Sequence, residues 1–70
     1  MTEYLVVIEG EGESFSAYSP DLPGCVAAGE SLDEVEALMK DAIRLHIESL
    51  RAHKEPVPSP RATARFVAAG

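Results

Sequence analysis

The residues able to do chemistry in this 70-residue chain are its acids, two histidines and one thiol. Glu9, Glu11, Glu13 and Asp21 fall close together. Metal-assisted hydrolysis would need several such carboxylates converging from fixed backbone on two ions. Glu9 ends an apolar run and is the one candidate first ligand. Glu11 and Glu13 alternate with glycines, and Asp21 sits between prolines. These acids read as loop-borne and solvated, so no catalytic, cofactor-binding or metal residue is assigned. His46 lies among apolar neighbours and reads as an imidazole at a packing interface, with a pH-sensitive contact or a metal ligand as the alternative. No Cys or second His stands at ligand spacing from it. Cys25 has no partner for an internal disulfide and reads as a small buried hydrophobe.

The elements that must position these groups are organised around Ser19 to Glu34. Pro20 and Pro23 fix φ and Gly24 can take positive φ, so Pro20 to Gly24 reads as a stiff connection. Cys25 to Ala28 follows as a short strand of small residues. Ser31 is an N-cap candidate, with Glu34 three residues on as in a capping box. Upstream, Tyr4 to Glu9 is β-branched and apolar on both faces, with Tyr4, Val6 and Ile8 one way and Leu5 and Val7 the other. Gly10 to Glu13 reads as a hairpin connection. Ser14 to Ser19 alternates, with Phe15 and Ala17 on one face and Tyr18 on the other.

Leu32 to about His53 carries helical periodicity. Val35, Leu38, Met39, Ala42, Ile43, His46 and Leu50 fall on one broad apolar side, with Leu45 and Ile47 at its edges. That arc is wider than one sheet face needs. Glu36 and Lys40 stand at a favourable i,i+4 spacing on the opposite side. Prolines at 56, 58 and 60 then hold the chain extended. Arg61 to Ala68 alternates loosely and reads as a fourth strand. The expected architecture is α+β, in the order β-β-β-α-β. It has an antiparallel three-stranded meander, one packed helix, and a fourth strand beside and parallel to the first. One helix cannot cover both faces of such a sheet, so a second copy or another protein is expected on the open one.

Charge is unevenly placed. Met1 to Met39 holds nine acids and no Lys or Arg, while the remainder holds six basic residues against three acids, for a formal net charge of −6. The excess argues against direct nucleic-acid binding and for a basic protein partner. No apolar run has transmembrane length, and Met1-Thr2-Glu3 lacks the basic start of a signal peptide. The chain therefore reads as soluble and cytoplasmic.

Asp21-Leu22-Pro23-Gly24-Cys25, Gly29-Glu30-Ser31 with Glu34, Ala42-Ile43 with His46, and Glu55-Pro56-Val57-Pro58-Ser59-Pro60 form an ordered series. It resembles the HicB-like antitoxin family over about Tyr4 to Val67. The resemblance implies a partial RNase H-like fold, self-association, and a role as an antitoxin of a type II toxin–antitoxin system. Such an antitoxin silences a HicA-like toxin, a small basic protein that cleaves mRNA. HicB antitoxins commonly add a C-terminal DNA-binding segment. Residues 1–70 read as a single HicB-like domain without one, so operator binding by this chain is not expected, and an orphan relative is also open.

Tyr4, Phe15 and Tyr18 supply apolar anchors for the partner, and Glu11, Glu13 and Asp21 supply charge at the sheet ends. His46, Ile47 and Leu50 are assigned to an interface between copies. The competing class is a small metal-dependent nuclease or nucleotide-handling enzyme. The expectation is a protein-interaction module, not an enzyme, with no cofactor and no membrane partner.

Overall fold

The computed structural model describes residues 2–70. Met1, where the acid-rich half and the leader reading begin, lies outside them. Three strands and one helix follow in order: β1 (Val7–Glu11), β2 (Ser14–Tyr18), β3 (Val26–Gly29) and α1 (Leu32–Ala52). The strands form an antiparallel sheet in the order β1-β2-β3. The meander and the single packed helix thus stand as expected.

The first strand pairs later in the sequence than its apolar run. Pairing begins at Val7 opposite Tyr18 and ends at Glu11 opposite Ser14. The reason is the turn. Only Gly12 and Glu13 connect the strands, and Gly12 has a φ of +64°. Glycine at the first central position is what a two-residue type II′ hairpin requires. Gly10 stays in the strand, also at positive φ, and a Cβ there would collide with the Ser14 carbonyl oxygen. The ladder therefore extends through residues whose side chains gave no strand signal.

Between β2 and β3 the proline turn is braced from within. The Leu22 N–H donates to the Ser19 carbonyl, the Cys25 N–H to the Leu22 carbonyl, and the Ser19 N–H to the Cys25 carbonyl. The buried Ser19 hydroxyl donates to the Leu5 carbonyl at 3.0 Å, which ties the turn to the lead of β1. Gly24 takes a φ of +85°, as its place after Pro23 predicted. Leu22, the large apolar residue in this turn, is fully buried beside Val35 and Met39 of α1. Fully burying a side chain of this kind contributes about 1.5–3 kcal/mol. Ala17 and Cys25 complete the core, with Tyr4, Val6, Ile8, Phe15, Ala27 and Ile43 packed around it.

Helix α1 starts where its sequence said. Ser31 is extended, at φ −147° and ψ 163°, and its hydroxyl accepts the Glu34 N–H at 3.1 Å. The Glu34 carboxylate reaches back to the Glu30 N–H at 3.4 Å. At the far end Lys54 sits at φ +56°, with its N–H on the Arg51 carbonyl and the Glu55 N–H on the Leu50 carbonyl. This is a Schellman closure, with a lysine where glycine is usual. On the exposed side the ion pair that forms is Arg44–Glu48, at 3.3 Å. Glu36 and Lys40, also correctly spaced, form none among the described residues.

The fourth strand is the departure. Residues 55–70 pair with no strand of this chain. Their course is set by three hydrogen bonds instead. The Tyr4 hydroxyl donates to the Pro58 carbonyl at 2.6 Å, and the Asp21 carboxylate accepts the N–H groups of Arg61 and Ala62, each at 3.1 Å. Asp21 belongs to the β2–β3 connection, so this clamp ties the segment to that end of the sheet. Beyond it Phe66 and Val67 are fully or almost fully exposed.

Candidate protein-interaction surface

Strand alternation and register together define the surface. Ala17 is buried and Ile8 and Ala27 pack against the core, so these three, paired across the sheet, face the helix. Their neighbours must face the other way. Val7, Tyr18 and Val26 are aligned by the same register into one row across all three strands. No helix covers this row. Tyr18 is 44% exposed and Val26 63%. The next row in the same face is Glu9, Ser16 and Ala28, and then come Glu11 and Ser14. The open face is thus apolar at one end and acidic at the other.

The residues chosen from sequence divide among several places. Tyr18 lies on the open face, within the apolar row. Tyr4 and Phe15 lie on the helix side, half-buried and packed against the core. Glu11 is on the open face, and Glu13 is exposed in the hairpin turn. Asp21 is half-buried, and its carboxylate holds the backbone of Arg61 and Ala62. Sequence reasoning missed this clamp, because nothing local to Asp21 announces a partner forty residues on. It also missed Val26 and Val7 as members of a row, which only the register reveals.

His46, Ile47 and Leu50 are half-buried on the second half of α1. A helix of 21 residues is about 31 Å long, while a five-residue strand spans about 17 Å, so α1 overruns the sheet it covers. Leu38 and Leu45, on the flank of the same arc, are 41% and 55% exposed. Cys25 is buried, and burial pushes its thiol above the usual range. Among the described residues no three His, Cys, Asp or Glu side chains stand together to hold a metal ion, and no helix is long and apolar enough to cross a membrane.

The chain is 31% identical over 64 residues to an uncharacterized 14.9 kDa protein of Haemophilus phage HP1, covering 91% of this chain and 48% of that one. It is 36% identical over 61 residues to UPF0150 protein Ta0767 of Thermoplasma acidophilum, covering 86% of this chain and 88% of the relative. UPF0150 protein ssr1765 of Synechocystis is 39% identical over 56 residues, covering 79% and 71%. The chain therefore spans about half of the phage relative and most of the other two. No solved structure matches. Residues 4–69 match the family described as HicB_like antitoxin of bacterial toxin-antitoxin system, and to that family this chain belongs.

Proposed function

We propose that this chain neutralises a small basic, mRNA-cleaving toxin of the HicA-like class by binding it, and that it turns over no substrate itself. The observation that carries the reading is the open sheet face. Its apolar row of Val7, Tyr18 and Val26 offers contact area, and Glu9 and Glu11 beside it offer charge of the sign a basic partner needs. Apolar anchors hold a complex together, while clustered charge speeds and orients encounter. Family membership supports the toxin–antitoxin setting. In this reading the chain works in the cytoplasm, self-associates, and has a partial RNase H-like fold.

The test is a pull-down of the protein encoded beside this chain, with an RNA-cleavage assay of each protein alone and of the mixture. The neighbour should be small and basic, cleave RNA alone, and lose that activity in a stoichiometric complex. RNA cleavage by the purified chain with Mg²⁺ or Mn²⁺, abolished by Glu9→Gln, would overturn the reading in favour of an enzyme.

A further inference from the structure

We infer that residues 63–68 of one copy form a strand on the free edge of β1 in a second copy, with Phe66 seated in the groove between that edge and α1. The inference rests on the self-association included in the reading above and names the segment that performs it.

Four observations meet here. First, the segment is built to pair and has nothing to pair with. Thr63 to Ala68 alternates loosely, with Ala64, Phe66 and Ala68 in one phase and Thr63, Arg65 and Val67 in the other, yet Phe66 is fully exposed and Val67 is 84% exposed. The molecule is 45 Å long although its helix spans only about 31 Å, consistent with a tail standing off the body. Second, β1 has a partner on one side only, since β2 lies next to it and β3 beyond. An unpaired edge presents backbone N–H and C=O groups as a template for another strand.

Third, α1 packs mainly over β2 and β3, which leaves a groove of about 540 Å³ between the helix and the lead of β1. Tyr4, Val6, Met39 and Ile43 give it an apolar lining. A strand laid on the β1 edge with Phe66 turned to the helix side puts the ring in this groove. By alternation Arg65 and Val67 then turn to the open face.

Fourth, charge matches. From Pro56 onward the chain has Arg61 and Arg65 and no acid. Glu3, Asp33 and Glu36 rim the groove, with Lys40 as its one cation among the described residues. The tail is thus net positive and the surroundings of the groove net negative, a match of overall charge rather than of paired side chains. Within its own chain residues 63–68 pair with no strand among the described residues, and the Asp21 clamp holds Arg61 and Ala62 at the β2–β3 connection. Two copies related by a twofold axis satisfy both edges at once.

The experiment is analytical ultracentrifugation of the full chain, of Phe66→Asp and of Ala37→Arg, singly and mixed, with far-ultraviolet circular dichroism as the check on folding. Phe66 and Ala37 are both exposed, so neither change disturbs the core, and Ala37 lines the groove. The unaltered chain should be a dimer at micromolar concentration. Each variant should weaken dimerisation at least about tenfold, since the twofold axis repeats the lost aromatic contact in both copies. A mixture of the two should regain part of it, since Phe66→Asp keeps an intact groove and Ala37→Arg keeps an intact tail. A dimer indifferent to Phe66→Asp would overturn the strand exchange while leaving self-association standing. A well-folded monomer of the unaltered chain would overturn both, and toxin binding would still be judged by the pull-down.

Discussion

Asp21 shows how much one side chain can decide in a chain of this length. Its carboxylate accepts two backbone N–H groups from Arg61 and Ala62, and so fixes where the last ten residues leave the fold. Cys25 is the opposite case, a group whose chemistry is suppressed by position. It lies in the core between the proline turn and α1, and burial raises its pKa. A neutral thiol favoured in the folded state has a defined consequence. Below the unfolded thiol pKa, about 8.5, both states hold the proton and the contribution is constant. Above it the unfolded chain loses the proton first, so stability falls as pH rises toward the folded pKa. Urea denaturation between pH 7 and 10 should show this decline in the native protein and a smaller one in Cys25→Ala. Equal slopes would place the thiol outside the cause.

At the scale of elements, the two ends of α1 make a pair of opposite predictions. Ser31 caps the start with a hydroxyl on the Glu34 N–H, so Ser31→Ala should destabilise by about 1 kcal/mol. Lys54 closes the other end in the left-handed region, where a side chain costs roughly 1 kcal/mol that glycine does not incur. Lys54→Gly should therefore stabilise by a similar amount, and urea midpoints measure both. What was legible in the sequence follows the same physics. Ser31 announced its cap and Val35 to Leu50 announced a period, and both are local signals. The pairing of β1 was displaced because register depends on the turn: a two-residue Gly12-Glu13 loop carries the ladder through Gly10 and Glu11. Leu22 reads as a turn residue by its neighbours and is core by its packing. The alternation of Arg61 to Ala68 signals strand propensity without saying which edge, or whose, the strand would join.

At the scale of the whole molecule, the open face exists because one helix covers one side of a three-stranded sheet. The apolar row and the acidic rows beside it divide the work expected at an interface. Val7, Tyr18 and Val26 should govern how long a complex lasts, and Glu9 and Glu11 how fast it forms. In the proposed assembly the exchanged strand would lie on the edge of β1 and the basic partner on its open face, so Arg65, turned to that face, would adjoin the surface the partner meets. The central claim is that this face meets a basic protein. Its most direct test is the association rate constant with a basic toxin of the proposed HicA-like class, measured by stopped-flow fluorescence across a range of salt concentrations. The native chain should associate quickly at low salt and slow steeply as salt rises, and the double variant Glu9→Lys, Glu11→Lys should associate more slowly with a flattened salt dependence. Identical rates and identical salt slopes for the two proteins would contradict the account.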